Sequence, residues 1–235
     1  DLPDPKEFIS GIEELIDDNG IWMAEQSYLP FMIKTNSFDT ICHEHLEYYS
    51  LKDIKHLIEG TSLEIFDVEF TSTNGGSFIF YICKRKNKNL IIEIEKINNI
   101  ILEEQTTCSF ESLRNFSNNC YLQKESINAW FKEKISQGKK IAGLGASTKG
   151  NIALSFFGLT KKEISVIGDV NQDKFNSFTP YHFIPIIDQN KLLEMEFDYY
   201  VVLPWHFKDY FLSDTKFIGK TLVFLHPELE VIKIT

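Results

Sequence analysis

Lys140-Ile141-Ala142-Gly143-Leu144-Gly145-Ala146-Ser147-Thr148-Lys149-Gly150-Asn151 reads as an apolar strand that runs into a glycine-rich turn and then into a helix, Ile152 to Phe157. Such a strand–turn–helix unit opens a parallel α/β layer. Further on, Ile164-Ser165-Val166-Ile167-Gly168-Asp169 predicts the next parallel strand. Pro180 to Ile187 carries Ile184-Pro185-Ile186 ahead of a short helix capped by Asp188. Tyr199-Tyr200-Val201-Val202-Leu203 predicts another strand, and Val223-Phe224 a final one that His226-Pro227 ends. Strands alternating with helices make residues 139–235 an open parallel, Rossmann-like α/β domain.

The turn itself has two readings. Glycine turns and helix N-termini present backbone N–H groups that bind phosphate oxygens, and Ser147, Thr148 and Lys149 add hydroxyls and a charge. Yet the run is neither a Walker A sequence nor a complete G-x-G-x-x-G, so a plain tight turn explains the glycines equally well. Asp169, at the end of the next strand, resembles the ribose-facing carboxylate of a nucleotide fold. A turn-forming Asp would look the same.

Upstream, residues 89–138 carry two long helical patterns, from about Leu90 to Gln105 and from about Phe110 to Gln137, which predict a helical linker. The basic break Lys84-Arg85-Lys86-Asn87-Lys88-Asn89 closes a first domain, residues 1–88. In it Pro5 opens a helix with Phe8, Ile9, Ile12, Leu15 and Ile16 on one side, and Ile21-Trp22-Met23-Ala24-Glu25 follows as a buried strand. Ser62 to Phe70 and Phe78 to Cys83, joined through Asn74-Gly75-Gly76, form an antiparallel hairpin with the glycines at positive φ.

Between these elements lies Phe38-Asp39-Thr40-Ile41-Cys42-His43-Glu44-His45-Leu46-Glu47-Tyr48-Tyr49-Ser50. Two imidazoles, two carboxylates, a thiol and two phenols fall within eight of its residues. Ser50 with Asp53 at the third helical position predicts an N-cap, so the cluster sits in a loop before a helix. In an extended segment His43 and His45 share one face and Glu44 the other. Either imidazole suits a general base near neutral pH. Structural histidines and a metal site of Cys42, His43 and His45 are the competing readings, the latter weakened because no second ligand pair at zinc-like spacing follows.

A formal charge of −10 over 235 residues leaves no basic face for a nucleic-acid partner. Four cysteines, Cys42, Cys83, Cys108 and Cys120, show no CxxC spacing, and neither a signal peptide nor a long apolar run is visible. A reduced, soluble, cytoplasmic protein with no membrane partner is the expectation.

Three separated stretches, the FDTICHEHLEYYSL run, Asn74-Gly75-Gly76-Ser77 and Gly145 to Asn151, resemble the C-methyltransferases that act on nucleotide-linked keto-deoxyhexoses. The resemblance spans nearly the whole chain, and the chain looks like the C-terminal part of such an enzyme. It implies an incomplete methyltransferase sheet with an antiparallel hairpin, then the helical linker, then the Rossmann-like domain that helps to hold the nucleotide diphosphate. It also implies a separate N-terminal half, since the family's zinc-binding cysteines and its glycine-rich turn for S-adenosylmethionine are not matched. Under this reading the cofactor is S-adenosylmethionine, with Glu25 the candidate contact in this chain, and the partner is a nucleotide-diphosphate sugar. Tyr28, Ser147, Thr148, Lys149, Asn151 and Asp169 become candidate substrate contacts. His45 would be the base, Glu44 would orient it or bind substrate, and His43 with the Tyr48/Tyr49 pair would donate to an enolate oxygen. Three departures stand out: Cys42 where relatives have tyrosine, His206 where asparagine is common, and Tyr181-His182 where Gly-Thr is usual. Two other classes remain open, a non-catalytic nucleotide-sugar-binding module and an NAD(P)-dependent enzyme built on the second domain.

Overall fold

The computed structural model describes residues Leu2 to Thr235 and divides into two compact units. One holds residues 1–35 and 42–116, the other 36–41 and 117–235. The chain therefore leaves the first unit for six residues, Asn36 to Ile41, and returns before the long helix that ends it.

In the first unit α1 (Pro5–Leu15) starts where Asp4 accepts from the N–H groups of Lys6 and Glu7, and β1 (Ile21–Ser27) follows. After α2 (Leu29–Lys34) and α3 (Leu51–Leu57) come β2 (Leu63–Thr71), β3 (Ser77–Lys84) and α4 (Ile94–Thr107). The three strands form one antiparallel sheet in the order β1-β3-β2. The predicted hairpin is present, and Asn74, Gly75 and Gly76 turn at φ 55, 90 and 133. Gly76 has a second reason to be glycine, because a Cβ there would lie 2.7 Å from the Phe31 ring. Phe78, Phe80 and Ile82 alternate into a core closed by Ile9, Leu51, Ile54, Ile58 and Ile97. β1 departs from expectation. It is mostly exposed, and only Trp22 and Ala24 lean on the core.

α5 (Phe110–Ser136) begins in the first unit and runs on into the second, whereas α4 lies wholly in the first. The second unit then alternates β4 (Ile141–Leu144), α6 (Thr148–Phe157), β5 (Ile167–Asp169), β6 (Ile186–Asp188), α7 (Gln189–Glu194), β7 (Tyr199–Val202), α8 (Lys208–Ser213), β8 (Thr221–Phe224) and β9 (Glu230–Lys233). Its sheet runs β6-β5-β4-β7-β8-β9, parallel except for β9. That antiparallel edge strand lies beyond the position where Val223-Phe224 was expected to end the sheet. β4 and β7 are buried on both faces, which is why they read as unbroken apolar runs. The order reverses at β4, between β5 and β7, and the glycine turn lies at the carboxyl end of β4.

Candidate active site

The ionisable cluster is a strap whose start belongs to the second unit and whose body belongs to the first. Within the second unit a 3-10 turn, Phe38–Thr40, carries two deeply buried side chains. The Phe38 ring centre is 4.2 Å from that of Phe156 and 4.8 Å from that of His226. Asp39, 1% exposed, accepts a 2.7 Å hydrogen bond on Oδ2 from Trp205 Nε1. Asn36 donates to Gln123 Oε1 at 3.0 Å. The Lys149 ammonium lies 5.8 Å over the Trp205 ring, a cation–π contact. Burial holds the Lys149 pKa below its usual range, while the Asp39 charge pulls it up.

Two histidines face the same neighbourhood. His226 is 2% exposed, and neither ring nitrogen meets a hydrogen-bond partner among the described residues. Burial drives its pKa down, as it does for His206, where the Lys149 charge adds to the effect.

In the first unit the strap's far end is fixed in another way. Ser50 caps α3 in a full capping box with Asp53, as its spacing predicted. Tyr49 pairs with Tyr28 in a parallel bridge, and its carbonyl accepts from Leu29 N at 2.9 Å. Beneath them Glu104, 2% exposed on α4, accepts from Leu51 N at 2.7 Å, Lys52 N at 2.9 Å and the Tyr28 hydroxyl at 2.8 Å. A carboxylate at a helix N-terminus with three donors is fully satisfied.

The reactive groups lie between these ends. His45 N donates to Cys42 O at 3.2 Å, which closes a turn at His43–Glu44. The segment is therefore not extended there, and the alternation expected to put both imidazoles on one face does not apply. His43 and Glu44 are exposed, and His45 and Tyr48 are half-buried. Burial raises the Tyr48 pKa, with the Cys42 charge adding to it and a hydrogen bond from the Cys42 backbone working against it. Tyr49 donates to Glu47, and burial followed by that bond raises its pKa as well. Among the described residues no three His, Cys, Asp or Glu side chains gather to hold a metal ion.

The remaining candidates fall out as follows. Tyr28 is buried with its hydroxyl given to Glu104, so it forms part of the frame under the strap. Glu25 is exposed and accepts from Thr71 Oγ1 at 2.7 Å. α6 begins at Thr148, four residues before the predicted Ile152, so Ser147 is its cap and Asn151 lies in its first turn. Most of the turn's N–H groups are already engaged: Ala146 with Asp169 Oδ2 at 2.7 Å, Ser147 with Gly145 O, Gly150 with Ser147 Oγ and Asn151 with Ser147 O. Asp169 also accepts from Asn171 N at 2.8 Å and pairs with Lys174 at 3.4 Å. Asp169 thus holds this turn together from the end of β5. Thr148 and Lys149 are the groups of this turn that present a hydroxyl and a charge without capping the helix.

Glu104, Asp39, Trp205 and His226 were assigned no role from sequence. Glu104 left a signal: it falls on the stripe of Ile97, Ile100 and Ile101, where a carboxylate is out of place unless it is paired. Asp39 left none, because its partner is 166 residues away.

The family model described as the C-methyltransferase C-terminal domain matches residues 72–225. The C-methyltransferase NovU of Streptomyces niveus is 29% identical over 217 residues, which is 92% of this chain and 51% of that protein. The chain thus spans about half the length of the curated relative it matches. Among the described residues no helix is long and apolar enough to cross a membrane.

Proposed function

Because the chain belongs to the family of C-methyltransferase C-terminal domains, we propose that it is the C-terminal part of an S-adenosylmethionine-dependent enzyme that methylates a sugar carbon next to a keto group in a nucleotide-linked deoxyhexose. The segment from Cys42 to Tyr48, which holds a half-buried imidazole and a half-buried phenol, is the observation that carries this reading.

A keto group acidifies the hydrogen on its neighbouring carbon. His45 removes that proton, and the resulting enolate is the nucleophile. Tyr48, as a protonated phenol, donates to the enolate oxygen, with His43 as a second donor. Glu44 orients His45 or takes a sugar hydroxyl. Cys42 is a poor donor and plays no part in stabilising the enolate. The sugar nucleotide's diphosphate is met by Thr148 and Lys149, since the backbone of their turn is largely spoken for.

S-adenosylmethionine supplies an electrophilic methyl group in such chemistry. The residues here do not fit it. Glu25 is hydrogen-bonded to Thr71, and the first unit has no glycine-rich strand-to-helix turn among its described residues. No residue of this chain is therefore assigned to the methyl donor.

Calorimetric titration tests the proposal, with the chain alone and together with a supplied N-terminal half, against S-adenosylmethionine and a panel of nucleoside diphosphates. The expected result is nucleotide binding by the chain alone and S-adenosylmethionine binding only with the half present. In that pair His45→Ala should then lower kcat by roughly 10²–10⁴-fold. Nucleotide binding without turnover under any condition would leave a nucleotide-sugar-binding module instead.

A further inference from the structure

The glycine turn has a neighbour at the carboxyl edge of the second unit's sheet. β4 and β7 are parallel partners, and the strand order reverses beside them, the place where an open α/β sheet leaves a crevice for a ligand. Thr148 and Lys149 follow β4, and Trp205 and His206 follow β7. The two connections touch. A Cβ on Gly145 would lie 2.7 Å from the Pro204 ring, and the Lys149 ammonium lies 5.8 Å over the Trp205 ring. The His206 ring centre is 6.1 Å from that of Trp205.

His206 is half-buried, and its Nδ1 is buried with no hydrogen-bond partner among the described residues. Asp39 Oδ1 is in the same condition, the other oxygen being held by Trp205 Nε1 at 2.7 Å. Burial is what most disfavours a proton on His206; the Lys149 charge, from α6, adds to this, and the Asp39 charge, from the 3-10 turn, opposes both. His226, past the end of β8, faces the same two charges, but it is 2% exposed and walled by the rings of Phe38, Phe157 and Trp205. Lys208, two residues beyond His206, is answered by Glu230 at 2.6 Å.

A diphosphate that links a nucleoside to a sugar carries a negative charge on each phosphate. Set beside Lys149 it reverses the balance at His206, because the ammonium is then answered by the ligand and an anion in a partly dry site favours a cation next to it. An imidazole is the group that can respond near neutral pH. Once protonated, both of its nitrogens are donors, and Asp39 brings an unfilled acceptor oxygen to the same neighbourhood.

We propose that His206 is the proton-accepting partner of Lys149 in an anion site across the ends of β4 and β7, and that it takes one proton from solvent when the diphosphate of a sugar nucleotide binds. The proposal rests on the diphosphate reading above. Calorimetric titration with the glucose diphosphates of adenosine, cytidine, guanosine, thymidine and uridine tests it, since the phosphates of such diesters hold no proton near neutrality. Run at a pH of about 6.5 in MES and in Bis-Tris, whose ionisation enthalpies differ, the difference in heat counts the protons taken up. The wild type should take up about half a proton or more per site and H206N close to none.

The loaded state holds the extra proton, so wild-type binding should tighten from a pH of about 7.5 to about 6, by at most about tenfold per unit, while H206N stays flat. His226→Leu should keep the uptake. The imidazole C–H signal of His206 gives the same reading without a substitution, its midpoint lying below about 6.5 in the free protein and above it in the loaded one. Binding by the wild type without proton uptake overturns the proposal and leaves the diphosphate reading standing. Uptake that survives in H206N, or that only His226→Leu removes, overturns it as well. If none of the five binds, alone or with the N-terminal half, the diphosphate reading itself fails and the proposal with it.

Discussion

Glu104 is the residue on which the first unit's geometry turns. Three donors converge on its carboxylate, and two of them are backbone N–H groups at the start of α3. Removing it strands all three away from water, so Glu104→Ala should cost about 2–4 kcal/mol, read as a shift of the urea midpoint. A loss below about 0.5 kcal/mol, the range of a surface change, would mean the site is wet. The thiols give a second residue-level expectation. Burial raises Cys108 and Cys120 to about 11, so at pH 8 only about one in a thousand of either is thiolate. Iodoacetamide should modify the half-buried Cys42 first, with Cys108 and Cys120 at least about tenfold slower. Peptide mapping that finds Cys108 modified as fast as Cys42 would show that the thiol is not desolvated. At this scale the sequence displays what is ionisable but not what is paired. His43, Glu44, His45 and Tyr48 stand out by density alone, whereas Asp39 and Trp205 meet only after folding.

At the scale of elements, the glycine turn is shaped by packing as much as by ligand chemistry. Gly145 has φ +78, and a Cβ there would lie 2.7 Å from the Pro204 ring. Gly150, in the first turn of α6, would place one 2.7 Å from Leu203 Cβ. Both contacts fall on the residues just after β7, so the two glycines let β4 and α6 approach their neighbouring strand. Gly158 offers the contrast: its φ is +74, but a Cβ would meet nothing within 4 Å. Gly158→Ala should cost about 1 kcal/mol of backbone strain, while Gly145→Ala adds a clash worth a further 1–3 kcal/mol or so. Equal losses, measured by thermal melts of the two variants, would show that Pro204 moves aside freely. The alternation of strand and helix was legible from residue 140 onward because each buried parallel strand is an apolar run ended by a turn signal. β9 was not, since an edge strand with a half-exposed Glu-Val-Ile-Lys pattern carries little apolar signal.

For the molecule as a whole, the histidines buried in the second unit give stability a pH dependence that the carboxylates do not blur. His226 and His206 both have pKa values pushed below the ordinary 6.5 by burial. A lowered pKa means that the folded state refuses a proton which the unfolded state accepts once the pH falls below about 6.5. Stability is then flat above that point and declines beneath it, by at most about 1.4 kcal/mol per pH unit for each such group. Carboxylates held below their ordinary values, such as Glu13 and Glu133 beside their partners and Asp198 beside Lys139, act in the same direction but only once the pH nears 4.5 for the glutamates and 3.8 for the aspartate. The window from about 6.5 to 5.5 therefore belongs to the imidazoles. Urea unfolding across that window, followed by tryptophan fluorescence, should show the decline, two of the three tryptophans, Trp130 and Trp205, being in the second unit. His226→Leu should remove about one group's share of the slope and leave those of His206 and of His182, whose pKa burial also lowers, since Leu takes no proton in either state. A slope unchanged by His226→Leu would mean that the imidazole titrates as freely in the folded protein as in the unfolded chain, and that the two unpartnered nitrogens beside Phe38 and Asp39 are reached by water.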